Sequence, residues 1–479
     1  MAEASLKTKT LSGMIWSFVQ RFGTMAISFV SNIILARLLS PDDYGIIGML
    51  MIFIAVANTF VDGGFGSALI QKKEPTREDY STIFWWNMFL SLVLYGVLYM
   101  SAPAVARFYD LPLLSQVLRV QGFVLILNAL SIIQQNQLRK QLKFKRLASV
   151  TVASAVLSAV IAIVLAYLGW GVWALVAQQL MLSGFTAILL WVLNKWYPLL
   201  SFSKESFKQL FGFGGFMLLS SLINTIFNYI YCLIIGKLFS ASTMGYFSQA
   251  KKIEDATAMS VTSVVEQVTY PILSEHQNDK NKMRSILKRF NTCTFFIVTP
   301  MMLLICLFAE PIVVFLFTEK WLPVAPYLKI LALHGIPMGL QGVNYNAIAA
   351  IGKSKTIFAT TIIKRIMTIS LMLIGVYIAD VEGLLWGMVV SSSLIILYNM
   401  ILVSKYLDYR VITQIKELSG IAFVSACSFL IVLCFQNWAT INNLILVIIF
   451  IATYTALSYT LKIEVLRNIA SLLTDRIRK

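Results

Sequence analysis

The 479-residue sequence has few of the side chains that catalyse reactions or bind metals. It contains two histidines and five cysteines. No pair of these residues has a zinc-ligand spacing, and every cysteine lies inside an apolar segment, so neither a metal centre nor a disulfide framework is indicated. No nucleophile and base accompany them. We therefore expect a protein that is not an enzyme and that binds no metal and needs no cofactor.

Charged residues are also scarce. They make up 13% of the chain, hydrophobic residues make up 58%, and the mean hydropathy is +0.78. These values lie outside the range of ordinary soluble domains. Apolar runs of 18 or more residues recur between short polar breaks, which is typical of membrane-spanning helices. We predict an all-α polytopic membrane protein with about 14 transmembrane helices.

Acidic residues are outnumbered by basic ones, 22 to 39, which gives a formal net charge of +17. Such an excess is common in nucleic-acid-binding proteins, but here its distribution decides otherwise. When the tails and every second loop are assigned to one side, 30 basic residues lie on that side and six on the other. This is the positive-inside pattern. We predict that both termini are cytoplasmic and that nucleic acid is not a partner.

The stretch from Met244 to Leu273 is long enough to cross a bilayer, at about 45 Å, yet it carries five charged residues. One face combines these polar residues: Ser248, Lys251, Asp255, Thr262, Glu266 and Thr269. Charges at such depth persist mainly where they face a bundle interior or an aqueous cavity. The spacing also lets Lys251 and Lys252 pair with Glu254 and Asp255 within the helix. This stretch therefore predicts part of a transport path whose net charge is small.

A second polar stripe runs along the first span, about residues 11 to 35. It contains Arg21, roughly 15 Å from the cytoplasmic edge and so near mid-bilayer. Either the stripe packs between helices, or Arg21 faces a cavity, which we favour. Asp62, at the inner end of the second span, is a candidate ion-pair partner of structural or functional kind. The glycines after it either loosen the helix or admit a second backbone.

The sequence repeats itself with an offset of 200 residues. Ala36-Arg37-Leu38-Leu39-Ser40, followed by Tyr44-Gly45, matches Gly236-Lys237-Leu238-Phe239-Ser240, followed by Met244-Gly245. An even number of spans per repeat predicts halves related by an axis along the membrane normal. We predict a six-helix lobe over residues 1–200, a second six-helix lobe over 201–405, and two extra helices with a basic cytoplasmic tail over 406–479.

The second lobe offers hydrogen-bonding residues where the first offers a cation. Position 221, which corresponds to Arg21, is a serine, and the same helix face carries Asn224, Asn228 and Tyr231. The tenth span adds His334 and several amides, including Asn344, for which packing is the favoured interpretation. Three acids are candidates for coupling or ion pairing: Asp62, Asp255 and Glu266. Glu266 has no basic residue within one turn, so it either exchanges a proton or pairs across helices with Lys364 or Arg365.

Three motifs and the layout of the spans together resemble a known family. The motifs read ARLLSPDDYG from Ala36, DGGFGSALIQ from Asp62 and AKKIED from Ala250. They resemble the Wzx-like polysaccharide-exporting flippases of the multidrug/oligosaccharidyl-lipid/polysaccharide exporter superfamily. The match is nearest the colanic and teichuronic acid exporter branch and extends over residues 8 to about 410.

The resemblance implies a flippase of the bacterial plasma membrane. Such proteins move undecaprenyl-pyrophosphate-linked oligosaccharides to the outer leaflet by alternating access of two lobes, with the last two helices forming a groove for the polyprenyl tail. Arg21, Lys251 and Lys252 would then bind the pyrophosphate, because fixed cations suit phosphates. The glycan would be bound by Asn224, Asn228, Tyr231 and Asn344. Expected partners are the lipid-linked substrate, membrane lipids, and the polymerase and glycosyltransferases of surface polysaccharide synthesis.

Two alternatives stay open at this point. A cation-coupled antiporter for drugs or small solutes would use Asp62, Asp255 and Glu266 to carry the coupling ion. A membrane glycan polymerase would usually need a large outer loop. The longest outer segment here extends only from about Glu310 to Pro326, which disfavours the polymerase.

Overall fold

The computed structural model describes residues 2–438 and 442–466. Within these ranges nearly all residues are in helices and none is in a strand, which confirms the predicted all-α class. The predicted basic tail after residue 466 lies outside the described residues. The α-helices are α1 (Ala2–Leu38), α2 (Pro41–Asp62), α3 (Phe65–Gln71), α4 (Arg77–Phe108), α5 (Leu113–Gln121), α6 (Val124–Lys140), α7 (Phe144–Tyr167), α8 (Val172–Asn194), α9 (Lys204–Leu238), α10 (Ala241–Glu275), α11 (Lys280–Leu307), α12 (Ala309–Phe317), α13 (Val324–Ala350), α14 (Ser354–Leu407), α15 (Val411–Trp438) and α16 (Asn443–Thr460).

Eleven segments of the described chain are long and apolar enough to cross a membrane. One of them, residues 359–407, is long enough for two spans. The helix α10 contains the charged stretch Met244–Leu273 and α13 corresponds to the predicted tenth span, but both are too polar to be counted by composition. The structure therefore agrees with a polytopic membrane protein, and the number 14 remains a prediction.

The α14 helix is a hairpin of two limbs. The chain reverses at Ala379 and Asp380, where Asp380 has a positive φ of 51°. The limbs then cross at two glycines. A Cβ at Gly375 would lie 2.0 Å from the carbonyl oxygen of Gly383, and one at Gly383 would lie 1.9 Å from that of Gly375. Each limb is long enough to cross a membrane, so α14 has room for two spans.

The glycines after Asp62 act in both of the ways considered from the sequence. Gly63 and Gly64 have φ values of 59° and 67°, a region that disfavours other residues, and they end α2 before α3 begins. Gly64 also lies against α9, since a Cβ there would be 2.6 Å from the carbonyl oxygen of Gly214. Both interpretations of these glycines are confirmed.

The polar segment 195–203 is held against α4 by hydrogen bonds. Trp85 Nε1 donates to the carbonyl oxygen of Leu199 at 2.7 Å. The backbone N–H of Ser203 donates to Thr82 Oγ1 at 3.1 Å. This connection is thus a fixed strap along the start of α4, and α9 begins directly after it.

The described chain forms two compact units, residues 1–245 and 246–479. In the first, α1 packs against α7, and α9 packs against α2 and α3. In the second, α13 packs against α11 and α14, and α15 packs against α11. The lobe boundaries drawn from the sequence at 200/201 and 405/406 remain a prediction.

Candidate functional site

The α10 helix contains the charged stretch of the sequence as one uninterrupted helix, Ala241–Glu275. Lys251 Nζ lies 2.9 Å from Glu254 Oε2 and 2.8 Å from Asp255 Oδ1. These are the i,i+3 and i,i+4 pairs that the spacing predicts. Lys251 is therefore balanced by acids of its own helix, whereas Asp255 keeps 38% of its side chain exposed.

Glu254 is completely buried, and it also contacts α13. Its Oε1 atom lies 2.6 Å from Nδ1 of His334. Two acceptor atoms without a proton would repel each other at this distance, so one proton must lie between them. Helical spacing predicts only the pairing of Glu254 with lysines of its own helix, and it favours packing for His334, because a contact between residues 80 positions apart is invisible to it.

Glu266 lies in a gap that a glycine leaves in α13. A Cβ added to Gly342 would lie 1.5 Å from Glu266 Oε1. Asn346 Nδ2 donates a hydrogen bond of 3.0 Å to the carbonyl oxygen of Glu266. Among the ion pairs of the described residues, none includes Glu266. The α10–α13 seam therefore accommodates this acid without a pairing to Lys364.

The first unit has a similar seam between α2–α3 and α6. Asn128 Nδ2 donates to Asn58 Oδ1 at 2.8 Å. A Cβ on Gly66 would lie 2.7 Å from Asn136 Nδ2. In both seams a glycine on one helix leaves room for a polar side chain of the facing helix. The glycine lies after the second predicted span in the first unit and on the tenth in the second unit, so the helix that carries it differs.

Arg21 and Asp62 are both exposed, and in the described part of the chain no ion pair joins them. The cation whose charge acts on Asp62 is Arg139, near the end of α6. The suggested pairing of Arg21 with Asp62 is therefore absent from this structure. Arg21 presents its guanidinium on an open part of α1.

The four residues suggested for hydrogen bonding to a glycan divide into two groups. Asn224 and Asn228 are exposed and Tyr231 is half-buried on one face of α9, which packs against α2. Asn344, in contrast, is fully buried, and its amide faces that of Asn291 at 3.4 to 3.5 Å. The fold uses Asn344 to join α13 to α11.

The first turns of α2 and α10 cross at two glycines related by the 200-residue offset. A Cβ at Gly45 would lie 1.7 Å from the carbonyl oxygen of Ala241, and one at Gly245 would lie 2.0 Å from that of Pro41. Ser242 Oγ also donates to Asp42 Oδ1 at 2.7 Å. When every residue is replaced by its counterpart 200 positions away, the contact of Gly45 with Ala241 becomes that of Gly245 with Pro41. The bond between Ser242 and Asp42 joins two counterpart positions, so it is unchanged. A two-fold relation between the repeats produces such a pattern.

Known proteins resemble this chain in sequence and in fold. The teichuronic acid biosynthesis protein TuaB of Bacillus subtilis (strain 168) is 26% identical over 356 residues, 74% of either chain. The succinoglycan biosynthesis transport protein ExoT of Rhizobium meliloti (strain 1021) is 24% identical over 399 residues, 83% of this chain and 81% of that one. The lipid II flippase MurJ in an inward closed conformation has the same fold, with a TM-score of 0.76, 16% identity, and coverage of 94% of this chain and 99% of that chain.

A family model supports the resemblance drawn from the three motifs. It is described as "Polysaccharide biosynthesis protein" and matches residues 34–326. The match includes α2, α9 and α10, the helices that carry the motifs and most of the polar residues described above. Because the model matches more than half of the sequence, this chain belongs to the polysaccharide biosynthesis protein family.

Proposed function

We propose that this protein is a flippase that translocates undecaprenyl-pyrophosphate-linked oligosaccharide repeat units across the bacterial plasma membrane for surface polysaccharide synthesis. The observation that carries the proposal is the family match over residues 34–326, which contains α10, a bilayer-length helix with a buried charge cluster. A polar helix of this length inside an apolar bundle serves a polar substrate that must cross the membrane. The fold shared with a lipid II flippase agrees with a lipid-linked substrate.

Each part of the substrate has chemically suitable residues in the chain. A pyrophosphate needs cations, and Arg21 offers an exposed guanidinium, while Lys251 and Lys252 add cations on α10. A glycan needs amides and aromatic rings, which Asn224, Asn228 and Tyr231 present on α9. A polyprenyl tail needs an apolar surface, and the C-terminal helices α15 and α16 expose many apolar side chains.

Transport by purified protein in liposomes tests the proposal. A fluorescent undecaprenyl-pyrophosphate oligosaccharide is placed in both leaflets, and dithionite bleaches the label in the outer leaflet. With active protein we expect bleaching of nearly all of the label, against about half in protein-free liposomes. Arg21→Ala should slow the second half of the bleaching. Bleaching that stops at half with the wild-type protein, together with uptake of a cationic dye driven by an ion gradient, would establish the antiporter instead.

The setting of this activity is the bacterial inner membrane, with both termini in the cytoplasm. The excess of basic residues on one side of the predicted spans supports this orientation. The lipid-linked donor would arise from glycosyltransferases on the inner face, and a polymerase on the outer face would consume the translocated unit. Asp62, Asp255 and Glu266 are the acids proposed to couple transport to an ion gradient.

A further inference from the structure

Four ionisable groups of the second unit are bonded end to end. Asp255 contacts Lys251, Lys251 contacts Glu254, and Glu254 contacts His334, at 2.8, 2.9 and 2.6 Å. Their side chains are 38%, 15%, 0% and 13% exposed in that order. We call these residues the four-group chain. It leads from a partly exposed acid through a fully buried one to a second helix.

Glu254 is the member that two basic groups share. Its Oε2 faces Lys251 and its Oε1 faces His334. When His334 is neutral, the four-group chain carries one net negative charge, and when His334 is protonated, it carries none. Buried charges that are not balanced are costly, so the protonation of His334 and the pairing of Lys251 are linked.

A second proton on His334 changes the site in two ways, and both strengthen its attraction for an anion. The imidazolium makes a charge-assisted bond to Glu254, which is stronger than a neutral one and draws the carboxylate away from Lys251. The site also becomes more positive by one unit. Lys251 then keeps Asp255, the most exposed member, as its main partner. Both changes favour an incoming anion at Lys251.

Among the residues that the structure describes, the surroundings of His334 add no competing charge within bonding distance. Among the described residues of α11, α12 and α14, which pack near α13, no charged side chain bonds His334. Two turns earlier on α13, Tyr327 lies near Tyr246 of α10 and Glu382 of α14. Within the described part of the chain, the charge contacts of His334 are with Glu254 and, through it, with Lys251 and Asp255.

We propose that Glu254 and His334 are positioning residues for Lys251, and that protonation of His334 strengthens the binding of the substrate's anionic group. The inference rests on the proposed function, because it takes Lys251 as a pyrophosphate ligand. By linkage, anion binding must then raise the proton affinity of the site by the same factor. The protein should take up protons when it binds a pyrophosphate near neutral pH.

Calorimetry with the purified full chain and farnesyl pyrophosphate as the probe tests this linkage. We expect wild-type binding to be about tenfold tighter at pH 5.5 than at pH 7.5, relative to the His334→Gln variant, in the usual range of coupling between sites. Titration of the probe itself is common to both proteins and cancels in the ratio. Glu254→Gln should also lose the pH effect, and Glu254→Asp should regain part of it.

The chain supplies a matched control in its other histidine. Nδ1 of His276 lies 3.0 Å from the carbonyl oxygen of Ile272 in the preceding turn, outside the four-group chain. His276→Gln should keep the wild-type pH ratio and proton uptake. A His334→Gln variant that also keeps the wild-type ratio would overturn the inference.

A double-mutant cycle separates this inference from the proposed function. Thermal unfolding of Glu254→Gln, His334→Gln and the double variant measures the coupling of the two residues without substrate. We expect the coupling to be larger at pH 5.5 than at pH 7.5. Equal coupling at both pH values overturns the inference, whatever the liposome assay gives. If the coupling changes with pH but the wild-type protein does not bind the probe, the role of Lys251 is overturned. If bleaching stops at half in the liposome assay, the proposed flippase function is rejected separately.

Discussion

At the scale of single residues, Gly342 is the position where one methyl group should have the clearest effect. Gly342→Ala places a Cβ on the carboxylate of Glu266, so that side chain must leave the seam. We expect the free energy of unfolding to fall by about 1–3 kcal/mol, as is usual for overpacking. Thermal unfolding of the purified protein measures it. Gly96→Ala is the control, since nothing lies within 4 Å of a Cβ there.

The cause of that loss can be checked with a second substitution. In Gly342→Ala with Glu266→Ala, the colliding atoms are gone, so much of the lost stability should return. Residues in contact are expected to be non-additive in this way. If the two effects simply add, the strain at Gly342 comes from another neighbour.

Arg21 is expected to act on the substrate and not as the structural partner of Asp62. The two groups form no ion pair in the described structure, and Arg139 acts on Asp62. The charge-swapped variant Arg21→Asp with Asp62→Arg should therefore fail to restore transport that Arg21→Asp abolishes. The dithionite assay measures this. Full recovery in the swapped protein would show that the two form a structural pair.

Glu266 is the residue at which proton coupling is best tested. Its carboxylate is half-buried, and among described ion pairs none neutralises it. We expect Glu266→Gln to remove the dependence of transport on a proton gradient while farnesyl pyrophosphate binding stays within about threefold, which is about 0.65 kcal/mol. Transport with and without an imposed gradient gives the answer. A variant that still responds fully to the gradient moves the role to Asp62.

Contacts within one helix were predictable from the sequence, and contacts between helices were not. Lys251 with Glu254 and Asp255 follows from a spacing of three and four residues. The bond from Glu254 to His334 depends on how α10 packs on α13. The chain has only two histidines, and one of them, His334, lies inside a predicted span. This position was the signal in the sequence that could have drawn attention to the contact.

At the scale of helices, the crossing of α2 and α10 makes a sharp prediction. Gly45→Ala brings a Cβ within 1.7 Å of a backbone oxygen of Ala241, which cannot rotate away as a side chain can. The first turns of the two helices must separate, and we expect the free energy of unfolding to fall by about 3 kcal/mol. Gly212→Ala in α9 is the control, because a Cβ there meets no atom within 4 Å.

An unfolding midpoint for Gly45→Ala that equals that of Gly212→Ala would contradict the close crossing. Gly245→Ala should behave like Gly45→Ala, because its Cβ meets the carbonyl oxygen of Pro41 in the same way. Disagreement between these two variants would mean that the contacts are not reciprocal.

Helix positions followed closely from apolar runs, and the structure adds matching caps. Ser40 accepts from the N–H of Asp43, and Ser240 accepts from that of Thr243, so α2 and α10 start alike. The strap 195–203 was less predictable. Its hydrogen bonds to α4 depend on tertiary packing, which no pattern in the sequence indicates.

At the scale of the whole molecule, the predicted orientation can be tested with two engineered cysteines. In a background without native cysteines, Leu168→Cys should react with a membrane-impermeant maleimide added outside spheroplasts. Lys143→Cys should react only after lysis, because the loop after α6 is predicted to be cytoplasmic. Both positions are exposed in the structure. The reverse labelling pattern would invert the topology.

The overall architecture was predictable because hydropathy and charge bias act along the whole chain. The all-α class and the multi-pass arrangement needed no tertiary contacts. The division into units did need them. The helix α9 follows the strap and packs on α2 and α3, and the first compact unit extends to Gly245.

The reciprocal crossing at Gly45 and Gly245 bears on the history of the chain. A contact that is unchanged when its partners are exchanged is the isologous interface of a symmetric dimer. A half-length ancestor with a glycine at position 45 would have met its own copy through Pro41 and Asp42 in the same manner. Every substitution at that glycine would then have counted twice in the dimer. Fusion of two such copies would let the rest of each half diverge, whereas the close crossing would still require a glycine at both positions.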